Sequence, residues 1–439
     1  MDQSARHVVA VIGGAVSGSI AAELLAKGGA EVVVIEQNDR PYGKIEDGLP
    51  RWHNHQRHQE YERIDARLKL PNVHFVPRTR LGRDLSFEEL TERWGVSAVL
   101  LANGAWRDRP FPVDGADDLV GKGLEYQNPF IYWFNHKEEA GYAGPRVEVP
   151  DGPVVFGGGL ASIDVVKVCQ LELYGRALKA RGIEVAMLDL EKKGIPAICE
   201  AHGVVASTLG VKNCLLIYRR RMQDMPLAQP PPGASPEQME KTLAARAKLL
   251  SRAQEKYLFE VRDCTSPTSL VLRNGRVEGV TVVRNRVEGR KAEPIEGSEE
   301  TLATRLVVSS IGSIPEPIPG IAMKGETYSF ADWDWGIYEG AKGVFGVGNV
   351  VTGQGNIRAS LLHSQKVTGF ILENYLNHKA QGAGAAGAAA VKAHLESKAP
   401  LPAERVGNIL GTVRALQQRA GYAGDYAAWI QQVTPPDLT

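Results

Sequence analysis

At 439 residues the chain is longer than one hydrophobic core ordinarily serves, because single cores stop growing near roughly 250 to 300 residues, so two or three domains are expected. Its 51 basic residues balance its 51 acidic ones, which argues against a chain whose main task is to hold nucleic acid or an anionic membrane. Hydrophobic residues make up 43% of the sequence, yet no window approaches the roughly 18 apolar residues of a membrane span.

The opening MDQSARHVVAVIGG has neither an apolar signal core nor a small-residue cleavage site, so the cytoplasm is the expected compartment. Cys169, Cys199, Cys214 and Cys264 lie far apart without a C-x-x-C pair, so no zinc site, iron–sulfur site or other metal is expected. The same spacing leaves the sequence without a C-x-x-C redox motif.

Val8 to Ile12 is a short apolar run that breaks into Gly13, Gly14, Ala15, Val16, Ser17 and Gly18 before a helical stretch, Ile20 to Lys27. Strand, tight turn and helix in this order suit a dinucleotide. Gly13 permits the turn, the middle position approaches a pyrophosphate, and Gly18 lets the helix pack on the strand. The middle position is Ala15, a departure from glycine. The next apolar run, Glu31 to Ile35, ends in Glu36, which follows Gly13 at close to the roughly 20-residue spacing of a ribose acceptor. An acid there favours an unphosphorylated adenosine ribose, as in FAD or NAD, and the N-terminal position tilts the reading toward FAD. The plainer alternative is a tight turn with Glu36 merely solvated.

A second copy begins at Pro153, where Val154, Val155 and Phe156 run into Gly157, Gly158, Gly159, Leu160, Ala161 and Ser162, followed by a helical stretch from Ile163 to Leu173. This points to a nicotinamide cofactor; a flexible loop is the alternative. Leu215 to Tyr218 reads as a buried strand ending in Arg219, Arg220 and Arg221, whose forks suit a ribose 2′-phosphate and hence NADP(H). The rival is Ile183 to Leu188 read as a strand ending in Asp189, which would favour NAD(H). A solvated basic turn is the third reading of the arginines.

Taken together, these motifs resemble the adrenodoxin reductase family of ferredoxin–NADP reductases and the related reductase subunit of bacterial glutamate synthase, over most of residues 8 to 376. Pro41, Tyr42, Gly43, Lys44 through Gly48, Leu49 and Pro50 are similar to the family's flavin-side loop, with His53 and Arg57 where the family has a histidine and a base. Leu81 to Leu85, the segment Leu100, Leu101, Ala102, Asn103, Gly104, Ala105, and Trp133 to Asn135 follow in the expected order. The resemblance continues through Gly157, Gly159 and Asp164, then Tyr218 to Met222 with Met225 and Pro226. It ends with Ser309 to Gly312, Val344 to Asn349, and Gly353, Gly355, Asn356 and Ile357. Glu46 and Asp47 depart from the family, as does the absence of a cysteine-rich cluster domain.

The resemblance implies an α/β fold of two Rossmann-like domains. FAD would be held by a discontinuous domain, residues 1–110 and 330–380, through Gly13, Ala15, Ser17, Gly18, Glu36, Gly43, Lys44, Leu49, Ala102, Asn103, Gly104, Gly348, Asn349, Gly355, Asn356 and Ile357. Asn349 stands where many relatives carry aspartate. NADP(H) would be held by an inserted domain, residues 111–329, through Gly157, Gly159, Leu160, Ala161, Ser162, Arg219 and Arg220, and His53 would serve at the flavin. Hydride from NADPH would reduce the flavin, and electrons would pass to a ferredoxin-like carrier. The alternatives are a reductase subunit feeding a partner enzyme and a flavin-bound redox sensor.

Arg51, His53, His55, Arg57 and His58 form a basic segment beside the flavin-side loop, read either as a docking rim for the carrier or as a polar loop. Residues 381–439 are expected to be a linker, Ala/Gly/Gln-rich from Ala380 to Ala390, and a helical extension. There Val406, Ile409, Leu410, Val413 and Leu416 recur at helical spacing, either to dock on their own domain or to form a homodimer contact.

Overall fold

A computed structural model of the chain describes residues 5–231, 233–353, 355–376 and 398–435; the stretch Ala380 to Ala390 lies outside the described residues. The chain forms two compact units. The first comprises Met1–Leu49, His53–Arg107 and Ser313–Thr439, the second Pro50–Trp52 and Asp108–Gly312. The chain thus re-enters the first unit at Ser313, upstream of the return at residue 330 read from the sequence.

The first unit is built on a seven-stranded sheet in the order Phe330–Asp332, Ile337–Tyr338, Val344–Gly346, Ala98–Leu101, Val8–Ile12, Glu31–Ile35, Val73–Val76. The five strands from Val344–Gly346 to Val73–Val76 are parallel. Sequences such as VVAVI and EVVVI are apolar at nearly every position because both faces of a parallel sheet are covered. One face is closed by the helix Val16–Lys27 and by Val367, Phe370 and Ile371 of the later helical stretch. The other carries Leu81, Leu85, Phe87, Leu90 and Trp94.

The helix Ala403–Ala420 lays Val406, Ile409, Val413 and Leu416 into that second face, so the apolar stripe is consumed within its own unit. The helix Tyr426–Val433 joins the opposite face through Tyr426 and Trp429. Tyr426 Oη donates to Asp65 Oδ1 at 2.7 Å, and Trp429 Nε1 donates to the Asp39 carbonyl at 2.8 Å.

The second unit has five parallel strands in the order Leu124–Tyr126, Val307–Ser310, Val154–Gly157, Leu215–Ile217, Glu260–Arg262. The helix Leu160–Lys179 packs on this sheet, and a four-stranded antiparallel sheet, Thr265–Arg273 through Glu300–Ala303, extends the unit. Ile183 to Leu188 is not a strand. The place beside Val154–Gly157 is taken by Leu215–Ile217, and Met187–Lys193 is a helix with Asp189 in its first turn and Lys192 and Lys193 in its last, charges that suit the helix dipole.

The basic segment at Arg51 to His58 is not a loop. Arg51–His53 is a 3-10 turn and Asn54–Leu68 an α-helix, because Arg57, Ile64 and Leu68 form one buried face of it.

Candidate functional sites: two glycine turns

In the first unit the turn after Val8–Ile12 is fixed by close backbone approaches. Gly13 has φ of 95°, and a Cβ there would stand 2.9 Å from the Ala102 carbonyl oxygen. A Cβ at Gly18 would overlap the Gly13 carbonyl, so the helix starting at Val16 seats on the strand only with glycine there. Ala15 is the N-cap of that helix, and its methyl lies 3.1 Å from where a Cβ of Gly43 would stand. Gly43, at φ of 52°, turns the flavin-side loop past it, and Lys44 Nζ sits 5.7 Å above the Trp106 ring.

Glu36 is buried at the end of its strand. Its Oε2 accepts from the Gly14 amide at 2.8 Å and its Oε1 from the Asn38 amide at 3.0 Å. Burial pushes its carboxyl up to about 7, against these donors.

The distant segment at 348–357 reaches the same turn. Gly348 has φ of 74°, and a Cβ on it would overlap Ser17 Oγ; its amide donates to His363 Nδ1 at 3.0 Å. Burial lowers the His363 pKa, keeping the ring neutral as an acceptor. Asn349 Oδ1 and Asn103 Oδ1 are buried and have no hydrogen-bond partner among the described residues. Asn103 Nδ2 is held by Tyr328 Oη at 2.9 Å. Leu49 and Ile357 pack in one small cluster with Val16 and Ile20. Asn356 caps the helix Ile357–Phe370, accepting from the Ala359 amide at 2.7 Å, and Gly355 stands next to Asn349. Gly104 follows Asn103 with φ of 66°.

The candidates chosen for the first site are therefore brought together from five stretches of chain. His53 lies at the head of the helix Asn54–Leu68. Arg57 is buried and donates to Tyr61 Oη at 3.1 Å, and Arg51 pairs with Glu138 at 2.9 Å. These two arginines do not make an exposed docking rim.

In the second unit Ser162 replaces the third glycine. Its Oγ accepts from the Gly159 amide and donates to the Ser310 carbonyl, both at 3.2 Å, which closes the turn on the neighbouring strand. A Cβ at Gly157 would overlap Ser162 Oγ, whereas one at Gly159 would meet nothing within 4 Å. Gly159 thus presents bare backbone at the head of the helix Leu160–Lys179, whose first residues Leu160 and Ala161 are exposed. Arg219 is exposed, and Arg220 is half-buried at the end of the adjacent strand. Asp189 lies on an exposed helix, 4.0 Å from Lys193, and is not at a strand end.

Two separate parallel-sheet units, each with a glycine turn running into a helix, define a two-domain dinucleotide-binding fold. Residues 11–58 match the NAD(P)-binding Rossmann-like domain family. Homologues include the glutamate synthase (NADPH) small chain of Mycobacterium tuberculosis, 31% identical over 196 residues, or 40% of this chain and 38% of that one. The chain therefore spans under two fifths of that relative's length. They also include the NADPH-ferredoxin reductase FprA of Mycobacterium leprae, 22% identical over 84% of each chain. In fold the chain is similar to Mycobacterium tuberculosis FprA in complex with NADPH, with a TM-score of 0.66 and 21% identity over 94% of this chain and 91% of that one.

Among the described residues no helix is long and apolar enough to cross a membrane, and no group of three or more His, Cys, Asp or Glu side chains could hold a metal ion.

Sequence reasoning did not single out Tyr328, which holds Asn103, or His363, which holds Gly348. The Asn103–Tyr328 contact spans 225 residues and the Gly348–His363 contact 15, and neither Tyr328 nor His363 carries a local motif.

Proposed function

We propose that the chain is an NADPH oxidoreductase that holds FAD in the first unit and takes NADPH in the second. The reading is carried by the opposite chemistry at the two strand ends: a buried carboxylate, Glu36, beside one glycine turn and the arginines 219 and 220 beside the other. A carboxylate accepts from the two free hydroxyls of the FAD adenosine ribose and repels a 2′-phosphate there, while arginine forks reward that phosphate.

The residues fit FAD. Gly13 lets the chain turn tightly and Gly18 lets the helix pack close behind it, so that the helix start would face a pyrophosphate, and the unpartnered Asn349 Oδ1 can accept from a ribityl hydroxyl without the charge repulsion an aspartate would bring. Bound FAD would supply an acceptor for hydride and a donor of single electrons. Ala15, Ser17, Gly43, Lys44, Leu49, Ala102, Asn103 and Gly104 line its approach. Gly348, Gly355, Asn356 and Ile357 present the start of a helix, whose dipole stabilises negative charge at the reduced ring. His53 is proposed to handle a proton at the flavin. Gly157, Gly159, Leu160, Ala161 and Ser162 would hold the NADPH pyrophosphate.

The acceptor is proposed to be a ferredoxin-like carrier, as the name of the Mycobacterium leprae relative suggests. A second reading, delivery to a partner enzyme, is favoured by the 31% identity to a glutamate synthase small chain. The test is anaerobic titration of the purified protein. Stoichiometric FAD should be bleached by NADPH and recoloured on addition of oxidised ferredoxin. Bleaching without reoxidation by ferredoxin would favour the partner enzyme, and flavin that NADPH cannot bleach would overturn the proposal.

A further inference from the structure

One side chain joins the second glycine turn to the arginine segment. Tyr218 follows the strand Leu215–Ile217 and is 6% exposed. A Cβ on Gly158 would overlap its ring, so the ring lies directly against the backbone of the turn. Its hydroxyl accepts from Arg220 Nε at 3.0 Å and from Arg220 Nη2 at 2.8 Å, and donates to the Asp224 carbonyl at 3.1 Å.

The surroundings fix this strut at both ends. The Tyr218 amide donates to the Arg262 carbonyl and its own carbonyl accepts from the Thr265 amide. Asp224, whose carbonyl takes the hydroxyl proton, is itself paired with Arg221 at 3.0 Å.

We infer that Tyr218 is a positioning residue that sets the preference for a 2′-phosphorylated nicotinamide cofactor, by holding the Arg220 guanidinium at a fixed reach from the glycine turn. The inference rests on the reading of the second unit as the NADPH site. An arginine side chain has four torsions, and an untethered one must lose that freedom when an anion binds. Two of its donors on the Tyr218 hydroxyl fix the plane of the fork beforehand and leave Nη1 for a phosphate oxygen. The turn locates the pyrophosphate and the strut locates the fork, so the distance between the two anions of the cofactor is measured by one aromatic ring. A cofactor without the 2′-phosphate gives the fork nothing to meet and should be indifferent to the tether.

The test uses the purified flavoprotein with Tyr218→Phe, Arg220→Ala and the double variant. Calorimetric binding of 2′,5′-ADP and of 5′-AMP is measured, alongside KM and kcat for NADPH and NADH with ferricyanide as acceptor. Tyr218→Phe keeps the ring against Gly158. It should lower the preference for 2′,5′-ADP over 5′-AMP by about threefold to tenfold, the range for one lost hydrogen bond. Affinity for 5′-AMP should stay at the parent value, the KM for NADPH should rise with kcat unchanged, and the double variant should lose no more than Arg220→Ala alone.

Equal weakening of both probes would make Tyr218 a packing residue and overturn the inference. So would an unchanged preference in Tyr218→Phe when Arg220→Ala abolishes it. A parent protein that binds the two probes equally would overturn the NADPH reading itself, and that outcome is visible before any variant is made.

Discussion

The two glycine turns solve the same problem with opposite economies of space. In the first, a Cβ at Gly13 or Gly18 would run into backbone, and the turn is completed by Glu36 and by Gly348 from the far end of the chain. In the second, a serine hydroxyl does the work of the third glycine and Gly159 is left facing open space. The first turn is a closed piece of core with a carboxylate set into it; the second is packed at Gly157 and Gly158 but bare at Gly159, where the helix starts, with arginines nearby. A closed site suits a group that stays, and an open one suits a group that comes and goes.

The sharpest way to break that contrast is to add one methyl to each turn. Gly18→Ala places a carbon into the Gly13 carbonyl, an overpacking that costs about 3 kcal/mol or more, and the protein should be recovered without flavin or not at all. Gly159→Ala meets no atom of the protein, so its melting temperature should match the parent while the KM for NADPH rises. A Gly18→Ala protein that is fully yellow would show that the first turn is not the flavin's pyrophosphate site.

The ribose ends give the next largest effect. Replacing Arg219 and Arg220 together by alanine should raise the KM for NADPH by about a hundredfold or more, because charged hydrogen bonds to a phosphate are worth roughly 1.5–3 kcal/mol each, and should leave that for NADH nearly unchanged. Equal increases for both would mean that the arginines do not read the phosphate.

A smaller effect is expected from pH at Glu36. The ionised carboxylate is the form that accepts from ribose hydroxyls, and in the free protein it titrates at about 7. Apoprotein should therefore take up FAD more weakly as the pH falls below about 7, by up to about tenfold per unit, and Glu36→Gln should abolish that slope. The sign for apoprotein stability is the reverse. A carboxyl raised on folding contributes stability at pH values below the ordinary carboxylate range, and that contribution is lost as the pH rises through about 7. Flavin uptake independent of pH between 5 and 8 would contradict this assignment.

The smallest expected change tests whether the C-terminal helix belongs to the first site's foundation. Tyr426→Phe removes the bond to Asp65, which also accepts from Tyr42 Oη at 3.1 Å. A loss of about 1 kcal/mol, or some 2–4 °C in Tm, is expected for a domain of this size. An unchanged melting temperature would make that contact incidental.

Much of this architecture was legible because it is local. The strands Val8–Ile12 and Glu31–Ile35 fall where the apolar runs placed them, since a strand covered on both faces must be apolar throughout. The helices after each turn start earlier than read, at Val16 and Leu160, because helix geometry begins within the glycine segment itself.

Ile183 to Leu188 misled for the complementary reason. Its apolar pattern suits a strand, but the slot beside Val154–Gly157 was filled by Leu215–Ile217, and sheet occupancy is a competition between distant segments. Arg57 misled similarly. A basic residue among histidines reads as surface, yet its helix turned it inward onto Tyr61.

By itself, then, the sequence determined the two turns, their order, and the acid and arginines that follow them, all of which are fixed by spacing along one strand–turn–helix unit. Tertiary structure decided what completes each turn. Gly348 reached Ser17, the ring of Tyr218 settled against Gly158, and the stripe from Val406 to Leu416 was spent on its own sheet rather than on a second copy. Those outcomes depend on which distant surfaces meet, and contacts set by packing leave no periodic trace in the residues that make them.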